Sequence, residues 1–350
     1  MKEYIYSISD IEMGRGDITD DFSDDQAVAE FLEKIITDHA AEQPSPKITL
    51  VLNGDIFDFL KMEYKGELPY LITEDISLWK LEEVFKTHPG VFKAMKKFLD
   101  AHSHTNIHFV IGNHDSDIAW PSLQERIKQE LGNQDRVTFD YWYKNGPVHA
   151  EHGHLQDPVF MHRTHRPIIT HKKKKILNLP WGAYVCFTEL VDFKKKYPKE
   201  EQYFPHEQAT KANRKNKQYE KDGKKMLFGA ATKLLVKRIT NPGNPNYRVP
   251  YIAVMKHIAK HGFEFVDDHK LIESRIKKIT QTYPDKQIIL LGHAHLFNKV
   301  RHGDQTILIT DTWRDEFDLT KNGAKKPKTY ARVALENGTI QSADIHTFQK

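Results

Sequence analysis

The feature that most constrains this chain is a series of five polar clusters, each placed directly after a short apolar segment. Asp10-Ile11-Glu12 follows an Ile- and Tyr-rich alternating stretch, and Asn53-Gly54-Asp55-Ile56-Phe57-Asp58 follows Ile48–Leu52. Gly112-Asn113-His114-Asp115 follows Ile107–Ile111, His152-Gly153-His154 follows Val148–Glu151, and Gly292-His293-Ala294-His295 follows Gln287–Leu291. Short apolar runs bounded by Gly and Asn read as buried strands. In open α/β sheets ligands gather beyond the carboxyl ends of the strands, so five clusters at strand ends point into one crevice.

Between these strands the periodicity is helical. Ser23–Glu42 carries Val28, Phe31, Leu32, Ile35 and Ile36 at helical spacing, with Ser23 as the expected cap. Pro89–His102 and Trp120–Leu131 also read as helices, and Lys2–Ser9, Thr306–Ile309 and Thr329–Leu335 as strands. Strands and helices alternate over residues 1–155 and again after 285, the pattern of an α/β domain with helices on its sheet faces.

The stretch between differs in character. Residues 161–240 hold 20 Lys plus Arg against 7 Asp plus Glu, whereas the whole chain is only +4. A basic segment in an acidic body suggests an anionic partner, although a solvated helical surface has the same composition. The segment contains Lys172–Lys175, Lys194–Lys196 and a helical pattern over Lys225–Ile239, followed by the turn sequence Asn241–Asn246. Residues 251–283 read as helical again. The expectation is one domain over 1–350, with a mostly helical basic insertion, a lid, at about 160–250. Its aromatics, Trp181, Tyr184, Phe187, Phe193, Tyr197, Tyr203, Phe204, Tyr219 and Phe228, are expected to form a small core of its own.

Composition narrows the setting. Mean hydropathy is −0.63, and no apolar run approaches the roughly 18 residues of a membrane span. The N-terminal Met1–Tyr6 lacks the pattern of a signal peptide. The single Cys186 excludes an intramolecular disulfide framework and a thiolate zinc cluster. The expected compartment is the cytoplasm.

Carboxylate, amide and imidazole donors suit Mn, Fe or Zn better than Ca, which takes oxygen alone. Two ions about 3.5–4 Å apart need a bridging group, and a carboxylate serves. Singly, each cluster has an ordinary account: Asp10 capping a loop, Asp55 in a turn, Asn113 in an Asx turn, His293 and His295 an exposed pair. Five in order, each at a strand end, are far more specific than any one of them.

The series resembles the calcineurin-like metallophosphoesterase superfamily, whose pattern runs D-x-H, G-D-x-x-D, G-N-H-[DE], H, G-H-x-H. The resemblance covers residues 1–155 and 285–315. It implies two packed mixed β-sheets flanked by helices. It also implies two divalent ions, with Asp10 and His295 at the first, Asp55 bridging, and Asn113, His152 and His293 at the second. His114 would stand beside the leaving group, oriented by Asp58. This chain has Glu12 where the family has His, and Glu12 is read either as a ligand that makes the first site harder and favours Mn, or as a non-ligand that leaves the first ion weakly held. His154, Arg163 and Arg166 are candidate substrate contacts.

The implied activity is metal-dependent hydrolysis of a phosphomonoester, phosphodiester or pyrophosphate bond, the ions lowering the pKa of a shared water and clamping the phosphoryl oxygens. The helical insertion after the fourth cluster loosely resembles the UDP-2,3-diacylglucosamine pyrophosphatase branch, which carries Arg where this chain has His114. That branch suggests a nucleotide or lipid-linked substrate, with peripheral membrane contact left open. The alternatives are a nuclease, from basic charge with aromatics, and a non-catalytic scaffold of the same fold. Substrate, native metal and oligomeric state are not legible in the sequence.

Overall fold

The computed structural model describes residues 1–350 except 133–134, 158, 186–189, 206–207, 209–215, 242–268 and 349–350. The strands are β1 (Lys2–Ile8), β2 (Lys47–Asn53), β3 (Thr105–Val110), β4 (Val137–Asp140), β5 (Trp142–Asn145), β6 (Val148–Glu151), β7 (Ile168–His171) and β8 (Lys174–Leu177). They continue with β9 (Tyr203–Phe204), β10 (Ile288–Leu291), β11 (Asn298–His302), β12 (Gln305–Ile309), β13 (Phe317–Asp318), β14 (Ala324–Lys325), β15 (Lys328–Glu336) and β16 (Thr339–Phe348). The helices are α1 (Asp25–His39), α2 (Glu74–Thr87), α3 (Pro89–Ala101), α4 (Pro121–Glu130), α5 (Trp181–Val185), α6 (Val191–Lys196), α7 (Lys217–Thr240) and α8 (His269–Thr282).

Two mixed sheets dominate. One has the order β16-β15-β1-β2-β3-β4, the other β11-β12-β10-β6-β5. Within the first, β1 to β4 run parallel, β15 is antiparallel to β1 and β16 is antiparallel to β15; within the second, β6, β10 and β12 run parallel. Strand periodicity of two sets the layers. Ile5, Val51 and Val110 of the first sheet pack with Val148, Leu290 and Leu308 of the second. The alternate residues Tyr6, Leu50, Leu52 and Phe109 face outward, onto Val28, Phe31 and Phe98 of α1 and α3. Ile289, Leu291, Ile307 and Ile309 meet Ile272, Ile276 and Ile279 of α8 on the other outer face. The result is helix, sheet, sheet, helix, as expected from the sequence.

Several local expectations change. Asp24, not Ser23, caps α1, accepting from the Ala27 amide at 3.1 Å; the Ser23 hydroxyl donates instead to Asp315 at 2.6 Å. A carboxylate at an N-terminus also complements the helix dipole, which a hydroxyl cannot do. Lys172–Lys175 lie in the hairpin formed by β7 and β8 and not in a helix. The helical pattern over 225–239 belongs to a longer α7 that begins at Lys217. Of the helical stretch 251–283, only His269–Thr282 is seen as helix, and 251–268 lies outside the described residues, as do 242–246 of the expected turn. Among the aromatics of the basic segment, Phe193, Tyr197 and Tyr219 pack on one another with centroids 4.8–5.5 Å apart, and Tyr184 is fully buried. Phe187 lies outside the described residues.

Candidate metal centre

All five clusters converge at the carboxyl ends of β1, β2, β3, β6 and β10. Three groups of donors form among the described residues, one of them Glu12, Asp58 and His114, which shares Glu12 with its neighbour. Asp55, His152 and His293 each bring a ligand atom within 4.8 Å of the others, and Asp10, Glu12 and His295 do the same. The groups adjoin: His152 Nε2 is 3.0 Å from Asp55 Oδ2 and 3.8 Å from Asp10 Oδ1, and Asp10 Oδ1 is 3.2 Å from His295 Nε2.

Backbone conformation places these side chains at a cost. Asp10, Glu12, Asp55, His293 and His295 all have φ between +49° and +67°. Such conformations cost on the order of 1 kcal/mol or more for a residue with a Cβ. Two of the D-x-E and H-x-H pairs thus share one device, in which alternate left-handed residues aim both side chains into the crevice. Glycines let the loops close: a Cβ on Gly112 would fall 2.1 Å from Asp55 Oδ1, and one on Gly54 2.5 Å from the His152 ring.

Hydrogen bonds then assign the ring nitrogens. His152 Nδ1 meets the Asn53 carbonyl at 2.9 Å, which turns Nε2 toward the carboxylates. His295 presents Nε2 to Asp10 and Glu12 while Glu316 Oε1 stands 3.6 Å from Nδ1. His293 places Nε2 3.4 Å from Asp157, itself paired with Arg275 at 2.5 Å, leaving Nδ1 for the crevice. Carboxylates behind histidines are a common arrangement around metal ligands. Asp115 joins the second and third clusters by accepting from the Ile56 and Gly112 amides at 2.8 and 2.6 Å.

The donor set fits divalent cations. Asn113 Oδ1 is buried without a hydrogen-bond partner, and Asp10 Oδ1 and His152 Nε2, though close to His295 and Asp55, make no hydrogen bond of good geometry, a costly state that an ion would relieve. Burial raises the cost of every charge here; it prevails at His293, whose pKa is lowered, and at Asp115, pushed up to about 7, whereas neighbouring charges outweigh it at Asp55, His152 and His295. Asp55 is held well below the usual carboxylate range against that burial, chiefly by His152 and His114. His152 is lifted to about 9, with Asp55 and Asp10 outweighing its burial. His295 rises to about 10 against burial and Arg314, through Asp10 and Glu316.

Of the other expected residues, His114 sits at the edge. Its Nδ1 is 2.9 Å from Asp58 and its amide donates to Asp55 Oδ1 at 2.8 Å. Burial disfavours its charge, but Asp55, Asp58 and Glu12 lift it to about 10. His154 is buried with both ring nitrogens unpartnered, and its pKa is pushed well down by burial and by His162 and His152. It packs on His162, not on a ligand carboxylate. Arg163 and Arg166 are exposed.

Sequence reasoning missed Lys61, Arg314, Glu316, Asp157 and Glu201. Arg314 Nη1 lies 3.2 Å from both oxygens of Glu12, and Lys61 Nζ reaches Glu12, Asp58 and Glu201 at 3.4, 2.9 and 2.8 Å. Thr310–Glu316 follows β12 as one more polar run after an apolar strand, so Arg314 and Glu316 carried the same signal as the five clusters.

Two packed mixed sheets flanked by helices, with these clusters in this order at their strand ends, are the arrangement that the sequence resemblance implies. No protein-family model matches the chain, and no curated protein does. Solved structures similar to it include a candidate 5′-nucleotidase from Staphylococcus aureus, at 11% identity and TM-score 0.38. The match covers 99% of this chain and 54% of that one, so the chain spans about half of that protein. A dimetal phosphatase from Danio rerio matches at 10% identity and TM-score 0.37, over 95% of this chain and 93% of that one. Vacuolar Protein Sorting 29 from Cryptosporidium parvum matches at 10% identity and TM-score 0.30, over 100% and 99%. Likenesses this distant bear on neither activity nor substrate. Among the described residues no helix is long and apolar enough to cross a membrane.

Proposed function

We propose that this chain hydrolyses phosphate esters or anhydrides with two divalent metal ions. The supporting observation is the contiguity of two buried donor groups, Asp55/His152/His293 and Asp10/Glu12/His295, with Asp10 Oδ1 within 4 Å of a histidine of each. Asp10, Glu12 and His295 would hold the first ion. Asn113, His152 and His293 would hold the second, and Asp55 would bridge. Bound there, the ions supply an activated water and neutralise charge on the phosphoryl oxygens. Manganese suits the extra carboxylate of the first site.

The chain's own residues do the rest. Asp58 fixes the Nδ1 of His114, so a protonated ring would present Nε2 to a leaving oxygen. Arg314 and Lys61 hold the Glu12 carboxylate in place, ionised against the cost of its burial. Asp157 orients the ring of His293, and Glu316 sets a negative charge 3.6 Å from His295 Nδ1.

The test is a screen of purified protein with Mn, Zn and Mg against a phosphomonoester, bis(p-nitrophenyl) phosphate, a nucleotide diphosphate sugar and single-stranded DNA. Metal-dependent turnover of one class is expected. Two bound ions by elemental analysis, with no turnover of any substrate, would instead make the chain a scaffold.

A further inference from the structure

Between Asp157 and Glu189 the chain has no acidic residue, but it has Arg163, Arg166 and Lys172 to Lys175. All six cations are exposed, and among the described residues no carboxylate pairs with any of them. Four sit on the hairpin of β7 and β8. Its base is pinned to the body: Ile169 and Ile176 are buried, and the Leu177 amide donates to the Ile72 carbonyl at 2.9 Å. Toward the tip the pairs are Thr170 with Lys175 and His171 with Lys174, and the tip carries no exposed aliphatic or aromatic residue.

The turn itself is informative. Lys172 and Lys173 have φ of +44° and +67°. A two-residue turn with both φ positive strongly prefers Asn-Gly, and lysine there costs on the order of 1 kcal/mol per residue. Turn stability alone does not favour two lysines at these positions.

The cations also begin beside the crevice. His162 Nε2 lies 2.7 Å from the Ser116 hydroxyl, which donates to the Asn113 carbonyl at 3.1 Å, and Arg163 is the next residue. We propose that this basic hairpin, with Arg163 and Arg166, is a docking surface for duplex DNA that brings a phosphodiester backbone to the metal centre. What then happens to the strand rests on the phosphoesterase reading; the docking does not. A two-stranded ribbon fits the major groove of B-DNA, about 12 Å wide, whereas the deep, narrow major groove of duplex RNA excludes it. An anionic bilayer would meet the same charge, but the hairpin tip offers nothing apolar to bury in it, and Met161 is the one exposed large apolar side chain beside Arg163 among the described residues. Among the aromatics of the basic segment, Phe193, Tyr197 and Tyr219 pack on one another, and the exposed Phe297 lies off the hairpin, so the hairpin itself offers charge and not a stacking platform.

The test is fluorescence anisotropy of a labelled DNA duplex in EDTA, between 50 and 200 mM salt. Wild-type protein is expected to bind with an affinity that falls steeply with salt, by a slope of about −0.9 per phosphate contacted. Reversal of Lys172, Lys173, Lys174 and Lys175 to Glu is expected to lower affinity at least about tenfold and flatten that slope. Lys172→Asn with Lys173→Gly supplies the favoured turn, so it folds at least as well, and is expected to weaken binding several-fold. Unchanged affinity in both variants overturns the proposal. So does equal binding of duplex RNA, or binding of phosphatidylserine vesicles in place of DNA. Hydrolysis of bis(p-nitrophenyl) phosphate by wild-type protein with Mn reads the catalytic proposal separately.

Discussion

Arg314 places Nη1 3.2 Å from both carboxylate oxygens of Glu12, with each side chain about 95% or more buried. Glu12 stands where the superfamily pattern has histidine, so its extra negative charge arrives with its own counter-ion. Lys61 adds a second cation at 3.4 Å, and Arg314 Nη2 continues to the Glu201 carbonyl at 2.9 Å. The first site is thereby tied to the basic segment.

Breaking a buried ion pair from one side leaves an uncompensated charge and costs about 3–5 kcal/mol. Arg314→Met is expected to destabilise the metal-free protein by about that much in urea unfolding. Glu12→Gln combined with Arg314→Met is expected to cost less than the two single changes together, with a coupling above about 1 kcal/mol. Additive effects would mean that the contact carries no energy.

Bridging can be assigned by counting ions. Asp55→Asn is expected to lose both ions, and Asp10→Asn only the first, in elemental analysis of dialysed protein. Asp10 is the natural rival, since its Oδ1 lies near a histidine of each group. The reverse pattern, one ion lost with Asp55→Asn and two with Asp10→Asn, would transfer the bridge to Asp10.

Much of this was legible because the clusters and the strands before them are local in sequence. Alternation in Lys2–Ile8 and the apolar runs of β2, β3, β6 and β10 mark strands directly, and each ligand follows its strand within a few residues. The run Thr310–Glu316 after β12 carried a signal, but which ligand each supporting residue meets was not legible. Glu316 lies 21 residues beyond His295, and Asp157 meets Arg275 across 118 positions, so only the folded chain brings them together. The hairpin at Lys172–Lys175 was hidden because lysine at two left-handed positions contradicts turn chemistry. β16, with mostly exposed residues, lacks the apolar pattern of a buried strand.

His114 and Asp58 make a separable prediction. His114→Ala removes the proton donor but leaves every expected metal ligand. It is expected to retain both ions and lose about 10²–10⁴-fold in kcat. Asp58→Asn is expected to fall between, since it weakens the orientation and the charge of the ring. Wild-type kcat in His114→Ala would exclude the acid role.

Away from the crevice, His88 gives the fold a pH dependence of its own. It joins α2 to α3, with Nδ1 2.8 Å from Asp25 and Nε2 3.1 Å from Asp20. Burial disfavours its charge, but the two carboxylates raise its pKa from 6.5 to about 9. A group whose pKa is higher in the folded than in the unfolded chain stabilises the fold fully below the unfolded value and loses that contribution as pH rises through the folded value. The contribution is therefore complete below about pH 6.5 and gone above about pH 9. His88→Gln is expected to cost about 1–3 kcal/mol at pH 6 and under about 1 kcal/mol at pH 10, the neutral side chain keeping part of the hydrogen bonding. Urea midpoints of the two proteins at pH 6, 7.5 and 10 read this directly: the gap should narrow as pH rises, and a constant gap would show that the protonated ring contributes nothing beyond its hydrogen bonds.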